Sequence, residues 1–327
     1  MLCVSGSAAA LLLQSAEGRL QAAFTSATAK AYESAFRLFL AFTVFMAWDI
    51  HKVNVEFLLI YLEFLVFNAA TPGQVANHLS ALKAKFALHS LSTQIFDHQK
   101  VSYFVKSLKL NAPLTVTLHK IIDIPLLMNI VKQCDKFHMG QVFKAVYLLA
   151  FFSFLRISNL VPHSKALFCP LKQLTAEDIF FREKSALILV KWSKTLQFNN
   201  KVKLLHIPFL NNLLCPVSAI KNLLAITPAS KNSPLFKIKH QSQWVPLTDN
   251  QIRQNLKAIL KNLNLPTSYI TFHSFRRSGA TFAFNNHVPL QAIKNHGTWT
   301  SDTVWRYITD STDAGSQVAD TFASLLA

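Results

Sequence analysis

Apolar residues return at helical spacing through the first hundred positions of the chain. Between residues 22 and 48 they recur every three or four positions, while Glu33 and Arg37 fall on the opposite face. This period predicts a long amphipathic helix. Shorter stretches with the same character follow it, and they predict helices over residues 55–68, 74–88 and 101–110. The first part of the chain is therefore expected to be a small helical bundle.

The helical pattern lapses after residue 110. Residues 111–118 combine a proline with β-branched side chains, which is typical of a linker, so we expect two domains, 1–110 and 111–327. The helical period then resumes. It predicts helices over 119–133, 140–155, 217–225, 249–263, 274–286 and 290–296, and another before Tyr307.

One segment of the second domain has a different period. Residues 186–191 and 203–207 are β-prone runs on either side of a polar stretch, 192–200, which carries Lys194. This arrangement predicts a β-hairpin with a polar tip. The expected fold class is therefore mainly α with a small antiparallel β-sheet.

The net charge of the chain indicates the kind of molecule that it binds. The chain has 33 Lys and Arg against 16 Asp and Glu, a formal net charge of +17 and a pI near 9.8. The basic residues are spread through periodic, apolar sequence, so the positive field belongs to folded surfaces. Nucleic acid is the natural partner of such a surface.

Several other classes of site are not expected. The four cysteines lie far apart, which fits reduced thiols, and the histidines and cysteines lack metal-ligand spacing, so no metal is predicted. Two apolar stretches, 36–48 and 55–67, span only about thirteen residues each, which is short for a membrane helix. We interpret them as core helices and expect no membrane association.

Candidate chemistry begins with two cations. Arg156 directly follows the apolar run that ends at Leu155, where a guanidinium needs an anion or a local cap. Lys194 lies at the predicted hairpin tip. Taken singly, a local capping role for Arg156 and a solvated role for Lys194 are the commoner explanations.

Further candidates lie near the C-terminal end. His273 and Arg276 are three residues apart, so on a helix they share a face and can serve one phosphate. Trp299 and Tyr307 follow. Each of them, taken alone, is most simply explained as a packing or surface residue.

The order of these residues is more specific than any of them. An arginine, a hairpin lysine, a His-x-x-Arg pair, a tryptophan and a tyrosine occur in that sequence, and the chain resembles the tyrosine recombinase (phage integrase) family over most of its length. The phrases Phe-Leu-Arg-Ile-Ser-Asn-Leu, Trp-Ser-Lys-Thr and His-Ser-Phe-Arg-Arg are similar to those of the Crypton, DIRS and Ngaro-like recombinases of eukaryotic mobile elements. The resemblance implies a helical core-binding (SAM-like) DNA-binding domain over 1–110 and a catalytic domain over 111–327.

The resemblance also assigns roles. It implies that Tyr307 is the nucleophile of a DNA recombination and integration reaction, and that the rest of the catalytic set is Arg156, Lys194, His273, Arg276 and Trp299. Attack by the tyrosine would leave a 3′-phosphotyrosyl DNA and a free 5′ hydroxyl. The arginines would stabilise the transition-state charge that metal ions stabilise in other phosphoryl transfers, so neither metal, ATP nor any other cofactor is expected.

This chain departs from the family pattern at two places. Many members have Glu or Asp three residues after the first arginine, whereas this chain has Asn159, which can orient a guanidinium but carries no charge. The family's His or Trp usually comes directly after a glycine. Here Gly297 is followed by Thr298, so Trp299, Thr298 and His296 all remain candidates for that position.

The resemblance implies partners and a location as well. We expect both domains to clamp duplex DNA, with protomers assembled as dimers or tetramers through an apolar C-terminal tail, 318–326, and a nuclear location. Two rival functions stay open. One is a type IB topoisomerase-like enzyme that nicks and reseals DNA, and the other is a catalytically silent DNA-binding protein derived from a mobile element.

Overall fold

The computed structural model describes residues 6–21, 23–113, 121–192, 202–228, 230–299, 302–306 and 308. It divides into two compact units, Met1–Val116 and Thr117–Ala327. Three predicted features lie outside the described residues: Lys194, the nucleophile candidate Tyr307 and the C-terminal tail 318–326. Their assignments stay predictions.

The described part of the first unit is helical, as the sequence pattern predicts. Its helices are α1 (Gly6–Gln21), α2 (Ser26–Phe45), α3 (Val55–Phe67), α4 (Pro72–Leu88) and α5 (Gln99–Leu110). The helix predicted over 22–48 is shorter at both ends, since Thr25 caps its start and Ala47 takes a left-handed conformation after its end. Thr71 and Gln74 form a reciprocal capping box that starts α4. Helix α1 was not predicted.

Aromatic side chains fill the core of this unit. The Phe39 and Tyr61 rings meet edge to face with their centroids 4.9 Å apart, and Phe86 packs edge-on against Phe39 at 5.7 Å. Tyr61 is fully buried, and its hydroxyl lies 3.1 Å from Nδ1 of His78. The amphipathic period of α2 thus serves to pack its rings between α3 and α4.

The second unit contains most of the remaining predicted elements. Its helices are α6 (Ile124–Cys134), α7 (Gly140–Ser153), α8 (Ile157–Leu160), α9 (Pro216–Ile226), α10 (Asp249–Asn262), α11 (Phe272–Asn285) and α12 (Leu290–Gly297). The predicted start of the first one, at residue 119, is wrong, because Asp123 caps α6 and Pro125 occupies its first turn. The segment before Tyr307 forms a 3-10 helix, Asp302–Arg306.

The predicted hairpin is confirmed in its two strands. Strand β1 (Ile179–Phe181) pairs with β2 (Ser185–Val190), which pairs with β3 (Lys203–Pro208), all antiparallel. The register places Val190 opposite Lys203 at the hairpin's outer end. A second hairpin, β4 (Lys237–His240) with β5 (Gln243–Pro246), was not predicted, because its residues are largely polar.

Helix α7 is the centre of the second unit. Most of its residues are buried, which matches the apolar run in the sequence. Helix α11 packs closely against it, since a side chain at Gly279 would bring a Cβ within 2.1 Å of the carbonyl oxygen of Phe151. Among the described residues, no helix is both long and apolar enough to span a membrane.

Candidate active site

The first candidate arginine follows a strained helix end. Helix α7 ends at Phe154, which has left-handed dihedrals of φ 52° and ψ 27°. This conformation costs a non-glycine residue about 1–2 kcal/mol, and such residues concentrate at functional sites. The chain then turns through Leu155 to Arg156, which is half-buried and occupies the residue before the short helix α8. The sequence alone does not reveal this turn.

The second candidate arginine is buried at the meeting point of two other helices. Arg276 is 2% exposed, and its Nη1 donates to the carbonyl oxygen of Phe154. Its Nη2 donates to the carbonyl oxygen of Gly297 at 2.7 Å. Both acceptors lie at helix C-termini, α7 and α12, where the helix dipole favours a cation. These carbonyls take one N–H each of the five that a guanidinium carries, which offsets the cost of burying its charge.

Trp299 lies against the same guanidinium. The Arg276 guanidinium carbon is 4.0 Å from the centroid of the indole ring, a cation–π contact. Thr298 has left-handed dihedrals, φ 58° and ψ 37°, and this turn brings the indole back over Gly297. A Cβ at Gly297 would lie 1.7 Å from the ring, so only glycine fits there. The structure therefore brings together Arg276 and Trp299, two of the predicted site residues.

His273 lies one turn before Arg276 on α11. It is exposed in the first turn, where Thr271 and Ser274 form a capping box. The two residues share the helix, as their spacing predicts, but one imidazole faces solvent while the guanidinium three residues later is buried.

The side chain of His296 contacts the end of α7. Its Nε2 lies 2.9 Å from the carbonyl oxygen of Phe152, and its ring meets Phe154 edge-on at 4.8 Å. Because a carbonyl only accepts hydrogen bonds, Nε2 carries the proton. Burial lowers the pKa of this imidazole and outweighs the Phe152 hydrogen bond, which raises it, and the charges of Lys203 and Arg276 lower it further. His296 is thus a neutral histidine that ties α12 to the end of α7.

Asn159 bonds to the hairpin. Its side-chain amide nitrogen donates to the carbonyl oxygen of Trp192 at 2.5 Å. Trp192 follows β2 and precedes Lys194 by two positions, so this contact links the segment after Arg156 to the arm that carries the candidate lysine.

Main-chain groups at the site could not be read from the sequence. The carbonyls of Phe154 and Gly297 accept hydrogen bonds from Arg276. In the sequence, the glycine before Thr298 is the feature that could have indicated this contact. In the described ranges, no three or more His, Cys, Asp or Glu side chains are grouped so as to hold a metal ion.

Comparisons with known proteins identify the family and the fold. Residues 123–314, more than half of the chain, match the model of the phage integrase family. No curated protein matches the chain. The fold is similar to that of XerH site-specific recombinase bound to palindromic difH substrate in a post-cleavage complex, with a TM-score of 0.61 and 14% identity over 88% of this chain and 77% of that one.

Two further solved structures show the same fold. The Tn1549 transposon integrase in complex with transposon right end DNA has a TM-score of 0.58 and 15% identity, with 85% of this chain and 87% of that chain covered. A lambda integrase dimer bound to a COC′ core site has a TM-score of 0.57 and 12% identity, over 91% and 77% of the two chains. The chain therefore has a tyrosine recombinase fold.

Proposed function

The chain belongs to the phage integrase family of DNA-cleaving and rejoining enzymes, and we propose that it acts through Tyr307 as a site-specific recombinase. The catalytic set of this proposal is Arg156, Lys194, His273, Arg276, Trp299 and Tyr307. The matched segment, 123–314, contains all of these positions.

The contact between Arg276 and Trp299 is the observation that carries the assignment. A buried guanidinium that stacks on an indole at two helix C-termini is held in one orientation, which is what a phosphate-binding arginine requires. The same contact supports Trp299, rather than His296, as the family's His or Trp, because the His296 imidazole already bonds the Phe152 carbonyl.

The proposed reaction exchanges one phosphodiester for another. The Tyr307 oxygen attacks phosphorus, the bond between phosphorus and the 5′ oxygen breaks, and a 3′-phosphotyrosyl DNA forms. Lys194 donates a proton to the departing 5′ oxygen, and His273 takes part in proton transfer or binds the phosphate. A 5′ hydroxyl from another strand then reverses these steps and rejoins the DNA. Because the bond energy is conserved, the reaction consumes no ATP.

The arginines supply the charge that the transition state needs. A tyrosine hydroxyl has a pKa near 10, so at neutral pH its attack requires loss of the proton and stabilisation of the new charge. Arg156 and Arg276 bind the non-bridging oxygens in forked geometry. Because main-chain carbonyls hold the Arg276 guanidinium in place, little reorganisation of it is needed when the charge develops.

DNA is the substrate and the binding partner. Because the chain carries a net charge of +17, its affinity for DNA should fall steeply as the salt concentration rises, since counterion release from the DNA then contributes less to binding.

We propose that strand exchange uses dimers and tetramers of this chain assembled on DNA. Gel filtration of the DNA complex with and without residues 318–326 tests the tail's part in this, and an unchanged assembly would count against it.

A suicide-substrate assay tests the nucleophile. A nicked duplex from which the short fragment carrying the new 5′ hydroxyl diffuses away traps the covalent intermediate, so the native protein should give a DNA adduct that survives denaturation. Tyr307→Phe should give none, because the phenyl ring has no hydroxyl. Tyr269→Phe is the matched control, since Tyr269 is a partly exposed tyrosine of the same unit and should leave the adduct unchanged. Absence of an adduct with the native protein would refute the enzymatic function.

The rival functions have separate outcomes in a plasmid assay. A topoisomerase-like enzyme relaxes supercoiled plasmid without producing exchanged strands, and a silent DNA-binding protein does neither. Recombinant junctions between two marked duplexes are expected from this chain. The family match and the recombinase neighbours do not favour either rival.

We further propose a setting in a eukaryotic mobile element, with action in the nucleus. The phrases around Arg156, Lys194 and His273 that resemble Crypton, DIRS and Ngaro-like recombinases support this. A fluorescent fusion expressed in eukaryotic cells should collect in the nucleus, and exclusion from it would argue against this part of the proposal.

A further inference from the structure

The side chain of Asn159 faces a backbone carbonyl, which fixes its chemistry. Asn159 is 2% exposed, and its amide nitrogen donates to the Trp192 carbonyl oxygen at 2.5 Å. A carbonyl oxygen only accepts hydrogen bonds, so the amide must present its NH₂ group to it. This buried bond therefore needs a donor at position 159.

The backbone of Asn159 is fixed on both sides. Its N–H donates to the carbonyl oxygen of Arg156 at 2.9 Å, and its own carbonyl accepts from the N–H of Leu174 at 3.0 Å. The neighbouring Ser158 carbonyl accepts from the Gln173 side-chain amide at 2.9 Å. The direction of the Asn159 side chain is thus set by the segment that carries Arg156.

The hairpin base that Asn159 contacts is held by charge as well. Lys191 pairs with the buried carboxylate of Asp178 at 2.7 Å, and the Lys172 ammonium lies 5.7 Å from the centroid of the Trp192 ring. These contacts hold the strand, and the Asn159 bond ties it to the Arg156 segment. Lys194 lies two residues beyond Trp192, at most about 7 Å along the chain.

We propose that Asn159 is a positioning residue that aligns the Lys194 arm with the Arg156 segment by donating to the Trp192 carbonyl. This proposal rests on the proposed function, in which Lys194 protonates the departing 5′ oxygen. The proposal also predicts the effect of the acidic residue that many family members carry at this position. An aspartate at position 159, the acidic type that many members carry, would set a carboxylate oxygen against the Trp192 carbonyl oxygen, and this chain should work worse with it.

The test separates alignment of the lysine from general damage. Asn159→Asp and Asn159→Ala are assayed for adduct formation on an ordinary suicide substrate and on one with a bridging 5′ sulfur. In the second substrate, the bond between phosphorus and sulfur breaks, and the thiolate leaves without a proton because a thiol is far more acidic than an alcohol. A defect in the proton donor is therefore relieved by sulfur, whereas a defect in phosphate binding is not.

The expected result is a graded loss that sulfur relieves. On the ordinary substrate, Asn159→Asp should be slower by about a hundredfold and Asn159→Ala by about tenfold, within the range that a misplaced general acid costs. Both variants should approach the native rate on the sulfur substrate. Lowering the pH should partly restore Asn159→Asp, since a protonated carboxyl can donate to the Trp192 carbonyl.

Controls make each outcome decisive. Asn286→Asp removes an exposed amide that also donates to a backbone carbonyl, that of Phe282 at 2.8 Å, and should leave both rates unchanged. The native protein must form the adduct on the ordinary substrate, and if it does not, the proposed function itself has failed. If the native protein reacts and Asn159→Asp equals it, or if both substrates show the same loss, the positioning role is overturned. Should Asn159→Asp not fold, the sulfur relief of Asn159→Ala decides.

Discussion

The second unit holds two apolar regions of different kinds. The larger is the core around α7, built almost entirely from aliphatic and aromatic side chains of α6, α7, α9, α10 and the β1–β3 sheet. The smaller is a separate cluster at the end of α7, and it contains Phe154, Ala280, Ile293, Trp299, Val304 and Ile308. The second cluster packs around the buried guanidinium of Arg276, which stacks on Trp299.

This difference separates stability from function. The large core gains its stability mainly from apolar burial, and buried polar groups in it bond to each other, as Tyr147 does to Asn255 at 2.8 Å. The small cluster holds the buried Arg276 and the left-handed residues Phe154 and Thr298, and burying a charged guanidinium costs stability. A change in the small cluster should therefore slow DNA cleavage more than it lowers the free energy of unfolding. A change in the large core should do the reverse.

The largest effect is expected from Arg276→Lys. A lysine keeps the charge but loses the fork, so the rate of adduct formation should fall about a thousandfold, or about 4 kcal/mol of transition-state stabilisation. Single-turnover cleavage of the suicide substrate measures this. Arg277→Lys, at the half-buried neighbouring position, is the control and should change the rate little. If Arg276→Lys and Arg277→Lys lowered the rate of adduct formation equally, the small cluster would have no special role in cleavage.

A core substitution should have the reverse profile. Leu148 is fully buried in α7, and Leu148→Ala should lower the free energy of unfolding by about 3 kcal/mol, because it leaves a cavity. Denaturant unfolding measures this, and adduct formation per folded molecule should stay near native. Leu171→Ala, at an exposed leucine, is the control. A large loss of cleavage in the folded Leu148→Ala protein would show that the two regions are not separable.

The smallest effect concerns pH and His296. Because burial lowers the pKa of this imidazole, the unfolded state binds its proton more readily. Its stabilising contribution is fully present above the unfolded pKa near 6.5 and is lost as pH falls toward the lower folded value, by at most about 1.4 kcal/mol per pH unit. Thermal unfolding between pH 7.5 and 5.5 should show this loss.

The matched variant for that experiment is His296→Gln. Glutamine keeps a donor for the Phe152 carbonyl but does not titrate, so its unfolding temperature should depend less on pH than that of the native protein. The difference between the two proteins isolates the contribution of His296. Identical pH profiles would contradict the buried, neutral state of this imidazole.

Much of the fold could be predicted from residue periodicity. The amphipathic α2 and the apolar α7 have strong helical patterns, and the two β-prone runs around residue 192 flank a polar stretch, so local sequence determines these elements. The α1 helix and the β4–β5 hairpin were missed, since their residues lack a clear amphipathic period. Helix ends were shifted wherever a cap, such as Asp123 before α6, decides the boundary.

The residues of the candidate site, and their order, are properties of the sequence itself. Tertiary structure decided which groups they meet. Arg276 binds main-chain carbonyls of Phe154 and Gly297, and Asn159 donates to the carbonyl of Trp192. Every residue type has such a carbonyl, so no residue pattern marks which of them will face a buried donor. Only the packing of α7, α11 and α12, with the left-handed turns that end two of them, brings those groups together.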